Sequence, residues 1–266
     1  MRVSTLLAAS LLCVACQGPR GGVGAVFDGR GGAWIDLTHS FGRDTLYWPT
    51  DTQGFRLDEL SYGRTPGGWF YAAYAFAGAE HGGTHIDAPI HFAEGHSTTD
   101  RIPLDSLIGP AAVVDVSGRA DPDYRVSVAD LVAWESRHAR IPEGAILLLR
   151  TGWGGRWPDR LAYLGTDATG PDAVPQLHFP GLDPEAAAWL VAERSVDAVG
   201  IDTASIDYGQ SRDFRSHITL FAAEVPAFEN VANLARLPAT GAYVVALPMK
   251  IEGGSGGPLR IVAFVP

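Results

Sequence analysis

Five short runs dominated by Val, Ile, Leu and Ala recur along the chain, at residues 111–116 (AAVVDV), 145–150 (AILLLR), 196–202 (VDAVGID), 242–248 (AYVVALP) and 259–265 (LRIVAFV). Short, continuously apolar runs predict strands buried on both faces rather than strands with one wet side. Two longer stretches between them begin like helices. Ser127 is followed three positions on by Asp130, a capping-box-like start to residues 127–138. Asp183 precedes Pro184, an N-cap followed by the residue favoured at the first helical position. Strands alternating with helices predict an α/β protein. No internal repeat or linker divides the chain after Trp34.

The 266 residues, 46% of them hydrophobic, carry enough apolar surface for one compact core. With 32 Gly and 18 Pro, much of the chain must lie in turns and shaped loops. A net charge of −10 argues against a nucleic-acid partner, because little here could neutralise a run of phosphates. Residues 1–15 stand apart. One basic residue and an apolar run from Leu6 to Ala15, too short to span a bilayer, have the form of a secretory signal peptide. The run ends in CVAC and resembles the lipobox of bacterial lipoproteins, with Cys13 where that motif usually has leucine. The resemblance implies acylation of Cys16 and export to the bacterial cell envelope, lipid-anchored in the periplasm or at the surface. The lipid would be the only membrane contact, and the mature chain would hold no disulfide. An ordinary signal peptide cut nearby is the alternative. Residues 16–33, rich in glycine, read as a flexible tether, and residues 34–266 as the folded domain.

Candidate chemistry concentrates in HGGTHIDAPIHF, residues 81–92. Zinc bonds His nitrogen and carboxylate oxygen at about 2 Å, so His81, His85 and Asp87 would have to converge. On a straight strand they share a face, yet at about 3.3 Å per residue the two histidines stand about 13 Å apart. On a helix His81 and His85 are neighbours while Asp87 points elsewhere, and the two glycines and Pro89 oppose a helix in any case. The geometry that works puts His85 and Asp87 on one face of a short strand, with a turn at Gly82-Gly83 returning His81 to the same place. Spacing alone equally allows a polar surface loop rich in histidine.

The stretch resembles the His-x-Gly-Thr-His-x-Asp-x-Pro-x-His signature of the cyclase family, which includes bacterial kynurenine formamidases and isatin hydrolases. WIDLTHSF, YWPTD, LLLRTGW, HFPGLDPEAAAWL, GIDTASID and PMKIEGGSGGPLRIVAF extend the resemblance over nearly all of the chain from Trp34. It implies a swivelling β/β/α domain, a mixed sheet flanked by helices, usually in a homo-oligomer. It also implies a metal-dependent hydrolase of non-peptide C–N bonds, with residues 34–266 as the catalytic domain. The family takes two further ligands from a distant His and Glu twelve apart, the separation of His217 and Glu229. The implied set is therefore His81, His85, Asp87, His217 and Glu229. Five such ligands suit one or two Zn²⁺ or one Mn²⁺. His91, last in the signature, is assigned the general acid/base role, with ligation or a hydrogen bond holding Asp87 as the alternative.

Trp48, Trp69, Trp153 and Trp157 fall in glycine- or proline-bearing segments. Trp48, Trp69 and Trp153, with His178, are candidates to wall a pocket for a flat aromatic or heterocyclic amide; covering the core or a structural hydrogen bond is their alternative. Residues 151–178 exceed an ordinary connection and are expected to shape the entrance. Glu80 is read as either a support to the first ligand or plain surface, and Asp202 and Asp207 as turn caps rather than ligands. The glycines of IEGGSGGPL either let backbone approach a ligand or make a turn between strands. Two other functions stay open: an exported lipoprotein that captures a small molecule or metal without turnover, and a metal-dependent lyase or dehydratase.

Overall fold

All five apolar runs form strands, and these five are consecutive neighbours in one sheet. The computed structural model describes Val26 and residues 31–266; the signal peptide, Cys16 and most of the tether lie outside the described residues. Along the chain the elements are β1 (Ala33–Asp36), β2 (Arg56–Arg64), β3 (Phe70–Ala77), β4 (His85–Asp87), β5 (Ile108–Asp115), β6 (Arg125–Val126) and α1 (Val128–Glu135). There follow β7 (Ile146–Arg150), α2 (Arg160–Leu164), β8 (Gly181–Leu182), α3 (Pro184–Glu193), β9 (Ala198–Ile201), α4 (Arg215–Phe221), β10 (Ala227–Glu229), β11 (Tyr243–Pro248) and β12 (Gly256–Val265).

The main sheet runs β1-β12-β11-β5-β7-β9-β10-β4, and β4 also pairs with β12, so the sheet closes on itself as a mixed barrel. Pairing is parallel from β5 through β7 and β9 to β10 and antiparallel elsewhere in this sheet. Period-two alternation explains the unbroken apolar runs. Ala111, Val113, Ile146, Leu148 and Ala198 join Phe228, Val244 and Ile261 in one core. Their neighbours Ala112, Val114, Leu147, Leu149, Val199 and Ile201 face the opposite way, against Leu131 and Trp134 of α1, Ala186 and Leu190 of α3, and Leu220 and Phe221 of α4. Each central strand thus fills the barrel with one face and seats helices with the other. This is the mixed α/β fold that the pattern and the resemblance imply.

Both anticipated helix starts form. The Ser127 hydroxyl accepts from the Asp130 amide at 3.3 Å while Asp130 accepts from the Ser127 amide at 2.8 Å. Asp183 accepts from the Glu185 amide at 2.9 Å. The Trp134 indole N–H donates to the Val113 carbonyl at 2.8 Å, tying α1 to β5.

Two features were not legible in the pattern. Strands β2 and β3 form a hairpin that is a separate two-stranded sheet, bulged between Glu59 and Ser61. Residues 151–178 fold into short 3-10 turns and α2. There Trp153, Tyr163, Leu164 and Leu177 join Leu46 and Phe179 in a third, smaller core.

Leu148 is fully buried, whereas Val132 on the outer side of α1 is 48% exposed. Leu148→Ala is expected to lower the free energy of unfolding by about 2–5 kcal/mol. Val132→Ala should change it by less than about 0.5 kcal/mol. Urea unfolding of the two variants beside the parent checks this; equal losses would contradict the assignment of Leu148 to the core.

Candidate metal centre

Strand β4 is three residues long and lies between β10 and the start of β12, opposite Glu229 on one side and Gly256 on the other. Alternation sends Ile86, fully buried, into the barrel core and leaves His85 and Asp87 on the other face. Glu229 is the register partner of His85 on β10, so those two share a side. His217 comes from the start of α4.

His81 is brought back by the turn at Gly82-Gly83. Gly83 has φ +58°, and a Cβ at Gly82 would stand 2.1 Å from the Tyr47 ring, so glycine is required at both positions. The same turn is held from outside. The Asn230 side-chain amide donates to the Gly83 carbonyl at 2.7 Å, and Asn230 itself accepts from the Tyr163 hydroxyl at 2.8 Å.

Two overlapping groups result, His81/His85/Asp87 and Asp87/His217/Glu229, each with candidate ligand atoms within 4.8 Å of one another. Asp87 is common to both. Its Oδ1 lies 2.7 Å from His81 Nδ1 and 3.1 Å from His85 Nε2. Its Oδ2 lies 3.3 Å from His217 Nε2, which is 3.2 Å from Glu229 Oε1. All but half-buried His81 are nearly sealed from solvent.

Outer partners fix the imidazoles. His85 Nδ1–H donates to the Gly83 carbonyl at 2.9 Å, leaving Nε2 buried and without a hydrogen-bond partner. His217 Nδ1 is 2.6 Å from Asp207 Oδ2. An orphaned buried nitrogen aimed at two carboxylates is the arrangement a divalent cation fits. Asp207 is thus the group that fixes the outer nitrogen of His217. No local spacing signals this contact, since ten residues separate Asp207 from His217.

Electrostatics agree. Burial pulls His85 down, but Asp87 and Glu229 beside it prevail and raise its pKa to about 9. His217 is likewise raised well above the usual histidine range, against burial, by Asp207, Asp87 and Glu229. Burial would raise Asp87, yet His81 and the surrounding imidazoles hold it low, while burial and repulsion from Asp87 push Glu229 up. The field of the two carboxylates thus favours positive charge at this position.

His91 lies in the turn after β4, its ring stacked on His81 at 3.9 Å. Burial pushes its pKa down to about 4 despite Asp87, helped by the other histidines, so the ring is neutral at pH 7. The cluster and His91 line a cavity of about 360 Å³ whose other walls include Leu46, Trp48, Phe92, Leu164 and Phe214.

Of the anticipated walls, Trp48 lines this cavity, and so does Leu164 from the long 151–178 segment. Three others lie away from this cavity. Trp69 is 63% exposed in the turn that joins β2 and β3. Trp153 is buried in the third core, its indole N–H donating to the Tyr163 carbonyl at 2.9 Å. His178 sits on the surface, 2.8 Å from Asp123. Aromatic residues in loops are as readily spent on covering a small core as on a pocket, and only chain path separates the cases.

An ion entering the centre has to displace the protons on His85 and His217. Apparent affinity for Zn²⁺ or Mn²⁺ should therefore rise with pH until His85 deprotonates near about 9, by about tenfold per pH unit for each proton displaced. Competition against a fluorescent chelator at pH 6 and pH 8 measures it, and equal affinities would contradict proton displacement from the two histidines.

Comparison with known proteins places these residues in a family. The model of the Cyclase family matches residues 35–208, which include His81, His85, Asp87 and His91. The chain is 34% identical to the isatin hydrolase of Roseibium aggregatum over 248 residues, 87% of this chain and 91% of that protein. It is 30% identical to the kynurenine formamidase of Salinibacter ruber over 242 residues, covering 86% and 96%. Among solved structures, isatin hydrolase A from Ralstonia solanacearum superposes with a TM-score of 0.78 at 34% identity, over 88% of this chain and 92% of that one. An isatin hydrolase bound to the product analogue thioisatinate gives 0.79 at 32% identity, over 88% and 92%. With a matching model over most of its length and relatives at this identity and coverage, the chain belongs to the Cyclase family.

Proposed function

We propose that this protein is a metal-dependent hydrolase of non-peptide C–N bonds in small aromatic or heterocyclic amides, with isatin-like lactams and aryl formamides as the substrate class. The observation that carries the reading is a neutral His91 stacked against a buried His/carboxylate cluster at one end of an aromatic-walled cavity. His81, His85, Asp87, His217 and Glu229 would hold the metal, as Zn²⁺ (one or two ions) or Mn²⁺; the sharing of Asp87 between two groups favours a pair. When bound, the metal supplies hydroxide near neutral pH and polarises the substrate carbonyl.

The chain's own groups do the rest. Trp48, Phe92 and Phe214 offer flat apolar surfaces that orient a planar ring. His91 takes the proton given up by the attacking water and returns it to the departing nitrogen. One C–O bond forms, one C–N bond breaks, and a carboxylate and an amine result. Asp207, the Gly83 carbonyl and Asn230 keep the imidazoles aimed throughout.

The reading includes a homo-oligomer. Register puts Leu57, Tyr62, Phe70, Tyr74 and Phe76 on one face of the β2–β3 hairpin, and all are 44–63% exposed. A hairpin alone is marginally stable, and contiguous apolar faces of this kind mark interaction surfaces. The export signal and Cys16 add lipid anchoring in the bacterial cell envelope to the proposal.

Chelator-stripped protein should be inactive on isatin and on an aryl formamide, and Zn²⁺ or Mn²⁺ should restore turnover. His91→Ala should lower the rate by about 10²–10⁴-fold while metal content is unchanged. Full activity without metal would overturn the reading. Metal and ligand binding without turnover would favour capture, and a product lacking the elements of water would favour a lyase. Sedimentation should give a multiple of the chain mass, reduced by Tyr62→Asp with Phe70→Asp; an unchanged mass in that variant would exclude the hairpin as the contact.

A further inference from the structure

We infer that Ser255 and Glu80 are positioning residues that decide which nitrogen of His81 faces the metal, an assignment that rests on the metal-binding reading above. His81 Nε2 lies 2.9 Å from Ser255 Oγ, while Nδ1 lies 2.7 Å from Asp87 Oδ1. A serine hydroxyl has one proton to give. That proton goes to Glu80, since Ser255 Oγ–H donates to Glu80 Oε2 at 2.7 Å, and the Ser255 amide donates to the same oxygen at 2.9 Å. Ser255 Oγ is left with lone pairs only toward His81, so Nε2 must carry a hydrogen. Nδ1 is then the nitrogen that can offer a lone pair beside Asp87.

The arrangement is the reverse of the other two histidines. His85 and His217 each commit Nδ1 to an outer acceptor, the Gly83 carbonyl and Asp207, and turn Nε2 inward. His81 commits Nε2 outward and turns Nδ1 inward. Without Ser255 and Glu80 nothing in these contacts would select that tautomer, and the Nε2–H form is the one that leaves Nδ1 able to ligate.

The surrounding backbone is shaped to hold the pair. A Cβ at Gly256 would stand 2.6 Å from His81 Cε1, and one at Gly254 would stand 2.8 Å from Glu80 Oε1. Gly-Ser-Gly is thus a close-fitting cradle for consecutive residues Glu80 and His81. Its position is fixed to the centre, because the Ser255 carbonyl accepts from the Ala88 amide at 2.9 Å, and Gly256 pairs with Asp87. The ring so held is also the surface on which His91 stacks.

The test uses full-length protein labelled with ¹⁵N-histidine and loaded with ¹¹³Cd²⁺. Cadmium coupling is expected at Nδ1 of His81 and at Nε2 of His85 and His217. Ser255→Ala should weaken Zn²⁺ binding by about 10–100-fold, with the circular dichroism spectrum and melting temperature showing an intact fold. Ser255→Thr, which keeps the hydroxyl, should restore affinity to within a few-fold. Coupling through Nε2 of all three histidines, or parental affinity in a folded Ser255→Ala variant, would overturn the assignment and leave the metal-binding reading standing. Absence of any cadmium or zinc binding by the parent would overturn both.

Discussion

Asp87 and Glu229 are buried carboxylates on paired strands, and three imidazoles gather round them. Burying charge in a protein interior is costly unless it is paired, and two carboxylates together make the cost larger. The raised pKa values of His85 and His217 are a response to that charge. A divalent cation could offset the same charge by direct bonds. The groups behind the histidines make sense in that light, because an imidazole can offer a lone pair inward only if its other nitrogen has an acceptor outside.

The barrel is built around this need. Its closing seam is β4, three residues that hydrogen-bond to β10 on one edge and β12 on the other. One strand therefore carries two acid-base groups on its outward face while its inward residue, Ile86, completes the apolar core. Loss of the seam would open the barrel and scatter the centre together. That coupling ties the rigidity of the fold to the rigidity of the site, as pre-organised chemistry requires.

Around the centre, polar and apolar walls divide the work. The histidines and carboxylates take one end of the cavity, and Trp48, Phe92, Leu164 and Phe214 take the rest. A small third core made from residues 151–179 and Leu46 stiffens one side of it. The aromatic hairpin reaches the centre through its own sequence: β3 ends at Ala77, four positions before His81. Any contact that orders the hairpin acts on a segment continuous with the His81 turn.

The sequence by itself determined the class of fold, because strands buried on both faces must be apolar throughout and helix starts need caps at fixed offsets. Five runs and two caps were enough. It also limited the local half of the centre to one workable geometry: even spacing puts His85 and Asp87 on one side of a strand, and two glycines permit the turn that returns His81. Contacts that depend on chain path were decided only by tertiary structure. Glu229 reaches the centre through β10–β4 register, Asp207 through the start of α4, and Ser255 through the pairing of β12 with β4. Trp48 walls the cavity while Trp153, similar in local sequence character, is buried elsewhere. The reason is physical. Local spacing fixes which way neighbouring side chains point, but a contact across 100 residues or more depends on where the whole barrel closes, as between His81 and Ser255, 174 positions apart.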